Sequence, residues 1–263
     1  MTRSERLTAI LDLLAQTGRI EVEDLVNKLQ ISPATARRDL DSLAAERLLS
    51  RTRGGAVAGS VAYDLPVRYN RDDHAQQKHQ IALAASALIP LGAVIGLCGG
   101  TTSTALAQVL STREDLAEPS NKPTLTVVTN AINIAAQLAV RPNFKIMVSG
   151  GIVNPRSYEL VGPYTDIILQ KVALDFAFIG VNGIDPEVGP TVTDEGEATV
   201  NSLMARRAAD AYMLADSSKI GQRAFATMEG YHFRRLITDS GVTQEQISAF
   251  AANDIDVLVA PEA

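Results

Sequence analysis

Two adjacent arginines, Arg37 and Arg38, follow Ser32, Pro33, Ala34 and Thr35 in the stretch "ISPATARRDL". Guanidinium groups present planar forks of donors that suit a phosphate or the edge of a guanine, and the serine and threonine hydroxyls add further donors. Ala34 is small enough to let a helix end approach a groove closely. Further on, Arg51 and Arg53 alternate in "LLSRTRGGAV", a spacing that projects both from one face of an extended segment. A second set of residues offers different chemistry: "CGGTTST" at 98–104, "TN" at 129–130, "SGG" at 149–151, "GVNG" at 180–183 and "DSSK" at 216–219. Glycines permit close backbone approach, while hydroxyls, amides and the Lys219 ammonium supply hydrogen bonds suited to a small polyol bearing a phosphate.

The elements that must position the first set are helical. Leu7, Ile10, Leu11 and Leu14 recur at helical spacing and predict a helix over 4–16, stopped by Gly18. "RIEV" reads as a short β-like connector, and 23–29 as a second helix burying Leu25, Val26 and Leu29. After a turn at Gln30 and Ile31, Ser32 stands at an N-cap position and Pro33 at the first helical residue, so a third helix begins there. Its apolar stripe, Ala36, Leu40 and Leu43, leaves Ala34, Thr35, Arg37, Arg38 and Asp41 outward or sideways. Gly54 and Gly55 permit a chain reversal that turns Arg51 and Arg53 into a basic wing. The expected DNA contacts are Ser32, Pro33, Ala34, Thr35, Arg37, Arg38, Arg51 and Arg53.

Charge is unevenly spread over the 263 residues. Residues 1–58 hold nine Lys and Arg against eight Asp and Glu, a net of +1, and the remainder carries −7. A basic patch confined to one small region fits a molecule that touches phosphates only there. The length suits two domains, expected as a winged helix-turn-helix over 1–58, a linker over 59–75 ("AGSVAYDLPVRYNRDDH" at its heart) and an α/β domain over 76–263. The single cysteine, Cys98, excludes an intrachain disulfide and fits the cytoplasm. No secretory signal is legible at the N-terminus. The uncharged run from Ile81, "IALAASALIPLGAVIGLCGG", is broken by Pro90 and Gly92 into a helix and a strand, and no membrane anchor is expected.

Beyond a helix at 76–88, apolar β-branched runs ("AVIGLC", "TLTVVT", "FKIMVSG", "LDFAFIGV", "AYMLAD", "RRLITD", "IDVLVA") alternate with helices expected at 104–110, 130–138, 197–210 and 244–251. That alternation predicts an open, mainly parallel sheet covered on both faces, with ligands at the carboxyl ends of its strands. The run 99–104 reads in two ways: an anion cradle at a helix mouth, or a strand-to-helix turn that Ser103 merely caps. It is neither a P-loop nor a dinucleotide-binding glycine turn.

Over "SERLTAILDLLAQTGRIEVEDL" and "ISPATARRDLDSLAAERLLSRTRGGAV" the first segment resembles the N-terminal domain of the DeoR family of bacterial transcriptional regulators, departing from it at Ala36, Arg47 and Arg53. Across "KHQIALAA", "GLCGGTTSTALA", "VVTNAINIA", "VSGGIVNPRSYELVGP", "DFAFIGVNGID", "TVTDEGEA" and "LADSSKIGQRAFA" the second resembles the family's sensor domain, itself similar to ribose-5-phosphate isomerase. Cys98 and Gly99 stand where the family commonly has Asp-Ser, and Asn201 where it often has lysine. The resemblance implies a phosphorylated sugar effector, with phosphate near 100–103 and Lys78. The expected effector contacts are Lys78, Gly99, Gly100, Thr101, Thr102, Ser103, Thr129, Asn130, Gly150, Gly151, Asn182, Gly183, Asp194, Glu197 and Lys219.

Sugar-phosphate isomerisation needs a carboxylate to shuttle a proton. In ribose-5-phosphate isomerase acids lie within the glycine-rich strand end, whereas Val181, Asn182 and Gly183 occupy it here and the next acid is Asp185. Asp194, Glu195 and Glu197 in "TDEGEA" are read first as acids favoured in the first turn of a helix, and second as sugar contacts. His74, His79 and His232 have no metal-ligand spacing, and no metal or cofactor is expected. The reading is a non-enzymatic cytoplasmic regulator, a repressor of carbohydrate-catabolism genes by preference, a homodimer or higher homo-oligomer that binds double-stranded operator DNA. The alternatives are a sugar-phosphate isomerase with an appended DNA-binding module and an effector-blind protein whose α/β domain serves assembly.

Overall fold

The computed structural model describes all residues except 1–5, 8, 11, 12, 15–18, 46–48, 59–73, 118–120, 230–232 and 263. The chain divides into two compact units, Met1–Val67 and Arg68–Ala263. The segment expected as a linker, up to residue 73, lies outside the described residues, as do Gly18, Arg47 and His232.

In the first unit, helix α1 is described at Arg6, Leu7, Ala9, Ile10, Leu13 and Leu14. "RIEV" forms more than a connector: Arg19–Glu21 is strand β1, followed directly by α2 (Val22–Leu29). The Asp24 carboxylate accepts the Glu21 N–H at 3.2 Å, and Gln30, at φ 54°, ends the helix in the left-handed region and turns the chain. α3 spans Pro33–Ala45. At its start the Ser32 hydroxyl accepts the Thr35 N–H at 3.2 Å, and Pro33 occupies a position where a missing N–H leaves no hydrogen bond unmade. Ala36, Leu40 and Leu43 are buried in one core with Ile10, Leu14 and Leu25.

β2 (Leu49–Arg51) and β3 (Gly55–Ala58) form the hairpin, and β3 also pairs with β1, giving the order β1-β3-β2. Neither Gly54 nor Gly55 has a positive φ. Gly55 is required for another reason: a Cβ on it would lie 2.0 Å from the Ile20 carbonyl oxygen, so only glycine lets β3 seat against β1.

The second unit is built on a seven-stranded sheet comprising β4 (Val94–Leu97), β5 (Leu125–Thr129), β6 (Phe144–Val148), β9 (Leu174–Gly180), β12 (Ala208–Leu214), β14 (Arg235–Thr238) and β15 (Asp256–Val259). Their order is β15-β14-β12-β9-β4-β5-β6, and every neighbouring pair is parallel. Each apolar run singled out in the sequence is one of these strands. Between them lie β7 (Ile152–Val153), β8 (Leu160–Val161), β10 (Gly183–Asp185), β11 (Gly189–Val192) and β13 (Ala226–Thr227), which form two small antiparallel sheets.

Alternation along the strands splits the interior in two. Ile95, Leu97, Phe178 and Leu214 pack with α4 (Ala75–Ala87), α5 (Thr101–Thr112) and α6 (Ile132–Leu138). Ala177, Ile179 and Met213 pack against α8 (Glu195–Arg206), with Leu169 of α7 (Pro163–Leu169) and Phe250 of α9 (Gln244–Ala252) in the same core.

Two helix boundaries differ from the sequence reading by three residues or more. α5 starts at Thr101 rather than Thr104, so Ser103 lies inside its first turn and Gly100, at φ 96°, is the N-cap residue. Ser103 therefore does not cap the helix. α8 ends at Arg206, not Asp210, because Ala208 and Asp210 pair with Leu174 and Phe176 of β9. A central strand overrides the helical preference of an alanine-rich run. Among the described residues no helix is long and apolar enough to cross a membrane.

Candidate functional site

The first unit presents a basic surface around α3. Ser32, Pro33, Ala34, Arg37 and Arg38 are exposed, Thr35 is half-buried and its hydroxyl meets that of Ser32 at 2.9 Å. Pro33, Arg37, Arg51, Arg53 and Gly54 line a groove of about 610 Å³ together with Glu21, Val22, Glu23, Val26 and Asn27 of β1 and α2. The wing arginines differ in their engagements. Arg51 donates to the Gly55 carbonyl at 2.7 Å and pairs with Asp41 at 2.9 Å, so its guanidinium braces the hairpin against α3. Arg53, at the hairpin turn, is exposed. Asp39, which the sequence reading did not single out, is buried and accepts two hydrogen bonds from Arg6, tying α3 to α1; Nη2 reaches Oδ1 at 3.1 Å.

In the second unit a cavity of about 60 Å³ opens at the carboxyl ends of β4 and β9. Gly99, Gly100, Thr101, Thr102, Asn182, Glu197 and Lys219 line it, all of them expected, and so do Glu159, Gly180, Val181, Val192 and Asn201. The α5 N-terminus supplies backbone N–H groups and the positive end of a helix dipole. Thr102 Oγ1 and Asn201 Oδ1 are buried and find no hydrogen-bond partner among the described residues. Buried polar atoms left in that condition around a cavity are available to a ligand.

Lys219 Nζ donates to the Val181 carbonyl at 2.6 Å, and burial lowers its pKa, an effect that Lys78 on α4 reinforces and Asp216 opposes. Glu159, just before β8, is buried; its Oε2 accepts the Asn130 amide at 2.9 Å. Burial and the neighbouring Glu197 push its carboxyl up to about 8, against the Asn130 amide and the Gly99 N–H. Burial likewise raises Glu197, which accepts the Asn154 amide at 2.9 Å.

The other expected contacts, Lys78, Ser103, Thr129, Asn130, Gly150, Gly151, Gly183 and Asp194, do not line the cavity. Thr129 Oγ1 donates to the Leu97 carbonyl at 2.5 Å and accepts the Ala131 N–H, joining β5 to β4. Asn130 positions Glu159. Asp194 caps α8, its Oδ1 accepting the Glu197 N–H at 3.0 Å. Gly150 accepts Thr165 Oγ1 at 2.7 Å, Gly151 leaves room for the same hydroxyl, and Gly183 makes way for the Gln222 carbonyl. Ser103 is buried beside Cys98, whose thiol accepts the Gly180 N–H at 3.0 Å and is pushed up to about 12 by burial. Asp185, weighed as an isomerase acid, lies outside the cavity. Burial alone would raise its carboxyl, but the N–H groups of Val188 and Glu187 and the Arg223 guanidinium outweigh burial and hold it below the usual carboxylate range.

Of the cavity residues absent from the expected contacts, Glu159 is the one that can ionise. Its signal was a lone acid inside the apolar "YELV", where nothing local pairs it.

The DeoR-like helix-turn-helix domain matches residues 6–61, and the DeoR C terminal sensor domain matches 73–240. The chain is 34% identical to the HTH-type transcriptional repressor GlcR of Bacillus subtilis (strain 168), over 98% of this chain and 97% of that protein. It is 30% identical to the glycerol-3-phosphate regulon repressor of Escherichia coli (strain K12), over 87% of each. Among solved structures, ribose 5-phosphate isomerase A from Methanocaldococcus jannaschii overlaps 56% of this chain and 55% of that one, at 20% identity and a TM-score of 0.41.

Proposed function

The chain belongs to the DeoR family of transcriptional regulators, and on that premise we propose that it is a cytoplasmic repressor of carbohydrate genes released or engaged by a phosphorylated sugar. One observation carries the reading: α3 buries Ala36, Leu40 and Leu43 and leaves Arg37 and Arg38 in solvent, Arg37 lining a groove that Arg53 also lines. A helix held rigidly from behind, with small residues in its first turn and guanidinium groups outward, suits the major groove. Two copies of the chain would match a two-fold symmetric operator.

The cavity at the α5 N-terminus is the effector site in this reading. Its volume is that of about two water molecules, well below the roughly 300 Å³ at which ordinary ligand pockets begin. A phosphoryl group fills most of that volume and the rest of a sugar phosphate exceeds it, so the whole ligand favours an opened arrangement, and that difference in affinity is what a regulator needs.

The test uses the full chain and DNA fragments that it selects from a random-sequence pool. Arg38→Ala and Arg53→Ala each weaken binding and lower the salt slope by about one per lost phosphate contact; unchanged affinity in both overturns the DNA surface. Glycerol 3-phosphate, ribose 5-phosphate and fructose 6-phosphate are then screened by thermal unfolding, a ligand at 100 times its Kd adding about 2.7 kcal/mol. One arrangement favours a second reading, isomerisation: two buried carboxyls, Glu159 and Glu197, line one cavity, and burial raises both toward the range of acid–base catalysis. Turnover of these sugar phosphates that Glu159→Gln and Glu197→Gln each abolish would replace the regulator-only reading.

A further inference from the structure

Resting on the reading of the cavity as an anion site, we propose that Glu159 binds the effector as a neutral carboxylic acid, donating its proton to a ligand oxygen at the mouth of α5. The carboxyl occupies the place a side chain at residue 99 would fill: a Cβ on Gly99 would lie 2.5 Å from both Cγ and Oε1 of Glu159. It therefore stands against the turn that leads into α5, where the Gly99 N–H opposes the upward push of burial and Glu197 without outweighing it, and where the N–H groups of the helix end favour negative charge in a ligand. Thr102 and Asn201, each 2% exposed and each with an unpartnered oxygen, line the same cavity and point independently to a polar ligand.

Two carboxylates and a phosphoryl dianion cannot share so small a space without strong repulsion. A carboxylic acid removes one charge and supplies a donor, which an ionised carboxylate lacks. The charged surroundings of Glu159 favour that state. Glu197 of α8 and its N-cap residue Asp194 both raise the Glu159 carboxyl and the Cys98 thiol offers no counter-charge; Lys219 donates to the Val181 carbonyl, with Asp216 and Lys78 beside it. Burial and Glu197 already push the carboxyl up to about 8, so it is protonated at neutral pH.

A bound dianion opposes its ionisation further. Affinity for an anion is then flat below about pH 8 and falls by up to about tenfold per unit above it, with uptake of a proton on binding.

Sulfate, whose charge is constant across this range, is the probe, titrated calorimetrically into the full chain at pH 7 and pH 9. The wild type binds about tenfold more weakly at pH 9 and there takes up close to one proton, read from buffers of different ionisation enthalpy. Glu159→Gln keeps a donor and has no proton to lose, so its affinities at the two pH values agree within about twofold and proton uptake vanishes. Sulfate binding with no pH dependence in the wild type overturns the proposal. So does a parallel loss in Glu159→Gln, which would assign the titration to Lys219. No sulfate binding by either protein at either pH overturns the anion-site reading itself.

Discussion

At the proposed DNA surface of the first unit charge stands in water, and at the cavity of the second it is buried. Arg37 and Arg38 of α3 are exposed and act at a distance through a medium that salt screens. Glu159 and Glu197, which line the cavity at the carboxyl ends of β4 and β9, are buried, and there Glu197 raises the Glu159 carboxyl with little screening by salt. A surface charge tolerates loose placement, whereas a buried one is governed by desolvation and by its few partners. Ionic strength should therefore report on the first unit and pH on the second.

The largest effect that sharpens this contrast comes from the packing beneath the buried site. Phe178 is fully buried in β9, two residues before Gly180 of the cavity, its ring centroid 6.3 Å from that of Phe176 and 5.5 Å from that of Tyr212. Phe178→Ala should lower unfolding stability by about 3–5 kcal/mol, measured by urea denaturation. A loss below about 1 kcal/mol would mean that the buried site does not depend on a tightly packed sheet.

Next in size is a pH effect. The folded-state pKa of Glu159, about 8, lies above the ordinary glutamate value of 4.5, so the folded chain holds this proton more tightly than the unfolded chain. Its contribution is fully present below about pH 4.5 and is lost as pH rises toward 8, at no more than about 1.4 kcal/mol per unit. Comparing wild type with Glu159→Gln at pH 5 and pH 8 isolates that slope. The wild type should lose stability relative to the variant at the higher pH, and parallel curves would break the contrast between the units.

The smallest effect lies on the exposed side. Ser32→Ala removes the acceptor for the Thr35 N–H and should cost about 1 kcal/mol. Ser32→Asp should restore the cap while placing a negative charge where DNA is proposed to lie, so thermal stability recovers and DNA affinity does not. Recovery of both would show that the start of α3 lies away from the phosphates.

The first unit was largely legible because its determinants are local. Ser32 and Pro33 announce α3, and the spacing of Ala36, Leu40 and Leu43 names its buried face. The seven strands of the large sheet were legible as well, since a strand covered on both faces must be apolar throughout. The small ladders were not, because β7, β8 and β13 are two residues long and owe their pairing to distant partners. The overrun of α8 has the same cause: Ala208 and Asp210 become strand only because β9 lies beside them. In the cavity, glycines and hydroxyls at strand ends gave themselves away by type. Glu159 could not, since its meaning arises where a loop brings it against Gly99.

The fit between Gly99 and Glu159 also constrains how this protein can diverge. Residue 99 cannot acquire a side chain while the glutamate keeps its place, and shortening residue 159 alone would leave a void beside the helix. The two positions should thus be inherited as a couple, exchanged together or not at all, so that descendants responding to a different metabolite would carry the mark of the change at both.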